Sequence, residues 1–284
     1  MTEKMLSTIN HDRDSAALRY VYPVISRRAG GVSVGINLNT NNACNWRCIY
    51  CQVPNLVLGT APVIDLKVLE DELRGFLNEL LYGDYMNSSV PPEARRINDI
   101  ALSGNGEPTS SAEFAQVIDL IARVRQEVSL PETVKTILIT NGSLMHRNEV
   151  QQGLRNMAKL NGEVWFKLDR ASEEGMLQVN FTKMNINKVR ENLTTAISCC
   201  PTWLQTCWFA LDGKPPSQQD EDDYIGFVSA FLSDGYKLQG VLLYTLARPP
   251  LQQEAARLSK LSATQLQTFA DRIGKLGLPV KVSP

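Results

Sequence analysis

Six β-branched apolar runs, most followed by a segment of helical hydrophobic period, constrain this 284-residue chain more than any other feature. The runs are GVSVGINLN from Gly31, INDIALSG from Ile97, TVKTILITN from Thr133, EVWFKLD from Glu163, LQTCWFALD from Leu204 and LQGVLLYTLA from Leu238. Most lack strict alternation of apolar and polar residues, the pattern of strands covered on both faces. Leu66, Leu69, Leu73, Phe76, Leu77 and Leu80 make one helical stripe, with Asp65 as its N-cap. Phe114, Val117, Ile118 and Ile121 make a second, expected to start near Ser110 or Ser111. Tyr224, Phe227, Val228 and Phe231 make a third, stopped near Gly235, and Leu266, Phe269, Ala270 and Ile273 a last one before a short PVKV strand. Such alternation specifies an α/β chain with a parallel sheet, either an open or partial barrel or a doubly wound sheet. Both architectures gather their chemistry at strand ends.

Charged residues make up 21% of the chain and the formal net charge is −1, so nothing global attracts a nucleic acid or an acidic surface. The N-terminal segment is polar and no apolar stretch approaches the roughly 18–20 residues needed to span a bilayer. A cytoplasmic setting without a membrane partner is the expectation, and in that reducing compartment clustered cysteines bind metal or do redox work.

Three of the six cysteines lie in NNACNWRCIYCQVPN, as Cys44-x3-Cys48-x2-Cys51, directly after the first of the six runs. Three thiolates in one loop suit a soft metal site. Structural zinc takes four ligands, and neither a second CxxC pair nor a histidine at a usual spacing accompanies these. Three ligands can instead hold a cubane [4Fe–4S] cluster and leave one iron open for chemistry. Zinc without catalysis, or three unliganded thiols, is the competing reading. Cys199, Cys200 and Cys207 are expected as small buried hydrophobes, since adjacent cysteines are awkward ligands of one cubane.

The Cys44–Cys51 motif, with Tyr50 before its last cysteine, resembles the signature of the radical S-adenosylmethionine (radical SAM) superfamily. SGNGEPT, from Ser103 to Thr109, resembles that superfamily's GGEP element, and ITNGSL, from Ile139 to Leu144, its TNG element. The resemblance runs from about Gly31 to Arg248 and implies a partial (β/α)6 barrel of the TIM type. Residues 1–30 are then an N-terminal extension packing on the barrel, and 31–284 the core domain. VYPVISRRAGGVSVGINLN, WFKLDRASEE and YTLARPP further resemble Fe–S oxidoreductases related to the wybutosine-synthesis radical enzymes.

The resemblance implies an enzyme that binds a [4Fe–4S] cluster through Cys44, Cys48 and Cys51. It implies reductive cleavage of S-adenosylmethionine to a 5′-deoxyadenosyl radical, which abstracts hydrogen from a substrate, with flavodoxin or ferredoxin as electron donor. Gly104, Asn105, Gly106 and Glu107 map onto the element that holds the methionyl amine; Asn105 departs from the commoner second glycine. Thr140, Asn141, Lys167 and Asp169 fall on the same rim. Lys167 suits the cofactor carboxylate or a substrate anion, and Asp169 suits ribose hydroxyls. Tyr50 belongs to the cluster surroundings, and Asn180 and Arg248 are lesser candidates. A small molecule and a tRNA both remain open as substrate. Arg13, Arg19, Arg27, Arg28, Arg95 and Arg96 form either an RNA-binding patch or a solvated, salt-bridged surface.

Overall fold

A computed structural model describes residue 6 and residues 18–26 and 30–284. Its main sheet has eight strands: β1 (Val21–Ile25), β2 (Val32–Ile36), β3 (Ile97–Leu102), β4 (Lys135–Thr140), β5 (Gly162–Lys167), β6 (Thr202–Cys207), β7 (Gly240–Tyr244) and β8 (Val280–Ser283). The spatial order follows the chain order, β1 antiparallel to β2 and every later pair parallel. That order decides between the two architectures left open by the sequence. A doubly wound sheet reverses direction at a switch point, whereas a sheet that always steps the same way, by crossovers of one hand, puts its helices on one face. The other face curves around an interior. Among the described residues β1 and β8 end the sheet unpaired with each other, so the barrel is partial.

Strands β2 to β7 are the six runs of the sequence. β2 and β6 are buried along their whole length, the reason they carry no alternation. All six runs are shorter as strands than as sequence. LQTCWFALD breaks at Trp208, whose side chain stacks on Phe269 at 4.4 Å in the core, and Phe209–Leu211 pairs instead with Leu258–Lys260. LQGVLLYTLA leaves the sheet after Tyr244. The PVKV segment extends the sheet beside β7 as β8.

The helices of eight or more residues are α1 (Leu66–Tyr82), α2 (Phe114–Glu127), α3 (Asn148–Ala158), α4 (Glu173–Asn180), α5 (Ile186–Cys199), α6 (Gln218–Ser233) and α7 (Ala263–Gly274). Asp65 caps α1 as expected, its side chain accepting from the Lys67 and Val68 amides. The buried stripe Leu69, Leu73, Phe76, Leu77 and Leu80 then faces the sheet. α2 begins later than expected, because Pro108–Ser110 forms a 3-10 turn after β3 and the Ser111 hydroxyl receives the Glu113 amide ahead of the helix. Ser217 and Ser262 close capping boxes at the starts of α6 and α7.

β1 comes from the stretch read as an N-terminal extension and pairs with β2 along all five residues, Val21 opposite Ile36 and Ile25 opposite Val32. Arg13, Arg27 and Arg28 of the N-terminal basic set, and the sequence before β1 apart from Leu6 and residues 18–20, lie outside the described residues. Arg95, exposed on the surface, donates to the Val90 and Asn87 carbonyls. No described helix is long and apolar enough to cross a membrane.

Candidate functional site

The loops that follow β2, β3, β4 and β5 meet at one end of the sheet over a cavity of about 540 Å³. Cys44, Cys48 and Cys51 line it, with Gly104, Asn105, Gly106, Glu107, Asn141, Lys167 and Arg248. Three motifs separated by up to about 100 residues in the chain are thereby brought to one wall. The cavity continues into the barrel, where Tyr22, Ser33, Asp99, Ser103, Trp165 and Gln205 surround it.

An asparagine-rich stretch builds the connection between the cysteine loop and the β3 loop. Asn37 Oδ1 accepts from the amides of Asn39 and Asn105, both at 3.1 Å. Asn39 Nδ2 donates to the Ala43 carbonyl at 2.9 Å, and Asn105 Nδ2 to Asn42 Oδ1 at 2.6 Å. The two loops touch so closely that glycine is required. A Cβ on Gly106 would stand 2.0 Å from the Ala43 carbonyl oxygen, and Gly104 has φ +135° with Asn37 packed against it. The Oδ1 of Asn105 is buried without a hydrogen bond at the cavity wall.

Glu107 ties this loop to the next. Its carboxylate accepts from the Thr109 amide (3.1 Å), the Thr109 hydroxyl (2.6 Å), the Thr140 hydroxyl (2.7 Å) and the Asn141 amide (2.7 Å). Burial pushes its carboxyl up and these bonds pull it back. Four internal donors therefore occupy a carboxylate expected from the sequence to meet a ligand ammonium. Thr140 is likewise committed, donating to Glu107 and accepting from the Gly142 amide. Asn141 reaches the cysteine loop, its Nδ2 donating to Asn45 Oδ1 at 2.8 Å, while Asn45 Nδ2 donates to Ser143.

Asp169 is also engaged internally. It accepts from the Tyr50 hydroxyl at 2.5 Å, Asn180 Nδ2 at 2.8 Å and the Cys207 amide at 2.8 Å, and it lies behind the main cavity rather than in its wall. Lys167, two residues earlier at the end of β5, does line the cavity, with Nζ 4.8 Å from the Tyr50 ring centre. Burial disfavours its charge, but Tyr244, Cys48, Asp169 and Cys51 around it outweigh that and hold its pKa above the ordinary lysine value.

Trp46, Cys48, Ile49, Tyr50, Val179, Cys207 and Phe209 pack as a separate apolar cluster beneath the cysteine loop. Burial raises the Cys44 thiol to about 12 and the Cys48 thiol to about 11, so both are protonated near neutrality when nothing is bound. Among the described residues no three His, Cys, Asp or Glu side chains converge on one point as a single metal ion demands. Three thiols without disulfide partners line one cavity wall, and thiolates are the ligands that a cubane cluster takes, each at a separate corner. The residues present thus fit a cluster, and its binding would displace the thiol protons.

A segment unrecognised in the sequence clamps the loop from outside. The Leu251 amide and Gln252 Nε2 donate to the Cys51 carbonyl, and Arg47 makes two bonds to Glu254, at 2.8 and 2.7 Å. Cys199 and Cys200 sit in the main core as expected, whereas Cys207, also buried, forms part of the cavity wall.

The partial barrel, with the three motifs gathered at one end of its sheet, has counterparts among solved structures, and the likeness is one of fold. The chain superposes on Streptococcus suis SuiB with a TM-score of 0.54 at 11% identity, covering 87% of this chain and 47% of that one. Against SuiB bound to S-adenosylmethionine the TM-score is 0.51, again at 11% identity, over 87% of this chain and 45% of that one. Among curated proteins, a UPF0026 protein of Helicobacter pylori is 29% identical over 174 residues, 60% of this chain and 49% of the relative. The chain thus spans about half the length of the first curated relatives it matches. A UPF0026 protein of Synechocystis sp. is 22% identical over 285 residues, covering 93% of this chain and 96% of that one. No family model matches the chain.

Proposed function

We propose that this chain is a radical SAM enzyme, with a [4Fe–4S] cluster on Cys44, Cys48 and Cys51 and S-adenosylmethionine in the adjoining cavity. The observation that carries the reading is the convergence of the three cysteines, the Gly104–Gly106 loop, Asn141 and Lys167 on one cavity wall. When bound, the cluster and S-adenosylmethionine supply one-electron reductive cleavage and a 5′-deoxyadenosyl radical.

The chain's own residues bind, orient and exclude water. The unpartnered Oδ1 of Asn105 and the close glycine backbone beside it accept the methionyl ammonium. The Lys167 ammonium receives the carboxylate. Glu107 and Thr140 hold the two loops in register, and Tyr50 with Asp169 fixes the cysteine loop, so these four act as positioning residues. Trp46, Ile49 and Phe209 keep water from the inner side of the loop. The barrel interior walled by Ser33, Asp99 and Gln205 takes the substrate. Asp99 is 2% and Gln205 4% exposed, which favours a polar substrate group over an aliphatic one. The electron comes from a flavodoxin- or ferredoxin-type donor in the cytoplasm.

Anaerobic reconstitution tests the reading. The wild-type chain is expected to take up about four irons and, with a reductant, to form 5′-deoxyadenosine. Cys48→Ala should lose both properties. A wild-type chain that assembles no cluster, or that binds zinc in the same loop under these conditions, refutes the reading.

A further inference from the structure

Asn180 ends α4 and is 1% exposed. Its side-chain nitrogen stands 3.2 Å from the Cys48 sulfur and 2.8 Å from Asp169 Oδ2. An ionised carboxylate only accepts, so the amide nitrogen rather than the oxygen must face Asp169. With one N–H on the carboxylate, the second is available to the sulfur. The arrangement is held from both sides. Asp169 is itself anchored by the Tyr50 hydroxyl and the Cys207 amide. On the backbone, the Asn180 carbonyl accepts from the Arg47 amide at 3.3 Å and the Val179 carbonyl from the Ile49 amide at 2.9 Å, so the end of α4 is docked on the cysteine loop. Phe181, at φ +51°, then turns the chain away, and the Arg47 guanidinium lies 3.7 Å from its ring centre.

We propose that Asn180 is a positioning residue that sets the reduction potential of the cluster through an N–H···S hydrogen bond to Cys48. The proposal rests on the reading that Cys44, Cys48 and Cys51 hold a cluster. Reduction places a further negative charge on the cluster and its thiolates. A donor aimed at one of those sulfurs stabilises the reduced form more than the oxidised form, and so raises the potential. The site is buried, where such a bond is electrostatically stronger than in water. Asp169 orients the donor without contacting the sulfur through any bond of its own, and the neutral amide stands between its charge and the thiolate.

The test uses the full chain, anaerobically reconstituted, as wild type, Asn180→Leu and Asn180→Asp. Iron content is measured first, and the midpoint potential then by a redox titration followed by electron paramagnetic resonance. Both variants remove the N–H while keeping the approximate shape. The expected result is a wild-type iron content in at least one of them and a midpoint more negative than wild type in each variant that holds its cluster. An unchanged midpoint in a variant that holds its cluster overturns the proposal. Loss of the cluster from both variants, with wild type retaining it, also overturns it, since Asn180 would then build the loop rather than tune it. A wild-type chain without a cluster fails at the iron measurement instead, and that result overturns the proposed function together with this role.

Discussion

Replacing Glu107 by alanine removes the acceptor of four hydrogen bonds at once, two from backbone amides (Thr109, Asn141) and two from hydroxyls (Thr109, Thr140). The donors are enclosed: Thr109 is 0%, Thr140 1% and Asn141 6% exposed. The hydroxyls can turn towards other acceptors, but the two amides are fixed by the chain. At about 1–3 kcal/mol for each orphaned buried donor, the amides alone account for about 2–6 kcal/mol, reduced where water enters from the neighbouring cavity. A net loss of about 3–5 kcal/mol is therefore expected for Glu107→Ala, and about half of that for Glu107→Gln, which retains one carbonyl oxygen. Equilibrium unfolding in urea reads the difference as a lower midpoint at unchanged slope. In a double-mutant cycle with Thr140→Val, the two sites should couple, because their side chains share a bond. A Glu107→Ala chain within about 1 kcal/mol of wild type would refute the reasoning. The carboxylate would then be free to meet a ligand, as the motif alone suggests.

Gly106→Ala puts a methyl 2.0 Å from the Ala43 carbonyl oxygen, so the cysteine loop or the β3 loop must move. A loss of about 1–3 kcal/mol in thermal unfolding is expected, with weaker iron uptake on reconstitution, and a variant matching wild type in both would contradict the close approach. Glu254 is held down to about 2 by its hydrogen bonds to Arg47, below the ordinary carboxylate value it takes when unfolded. Its contribution to stability is therefore full above the unfolded value of roughly 4.5 and is lost as the pH falls towards 2. The difference in Tm between the cluster-free wild type and Glu254→Gln should be large at about pH 6 and shrink below about pH 4.5; a gap independent of pH sinks this account. Phe269→Ala opens a hole against Trp208, at 4.4 Å, and Tyr224, at 5.4 Å, and should cost about 3–5 kcal/mol in a urea titration.

Much of the fold was legible because its signals are local. Six runs of β-branched residues identified β2 to β7, and the Asp65 cap and the Leu69–Leu80 stripe placed α1. The site was legible only as three motifs at the ends of successive strands. The hydrogen bonds that engage Glu107, Thr140 and Asp169 were not, since they depend on donors that the sequence does not order in space. The asparagines at 37, 39, 41, 42 and 45 were the one available hint of the hydrogen-bonded loop junction, five within nine residues just before and inside the cysteine motif.

The sequence by itself determined the α/β class, the order of the strands along the chain and the spacing of Cys44, Cys48 and Cys51, all properties of neighbouring residues. Only the tertiary structure decided that the strands lie side by side in chain order. That sequential stacking leaves one face free to curve into a partial barrel. It also decided the contacts that surround the cysteines: Asn180 with Cys48 across 132 residues and Arg47 with Glu254 across 207. Such pairs are brought together by the packing of whole elements, driven by burial of the apolar core, and no local pattern in either partner announces the other.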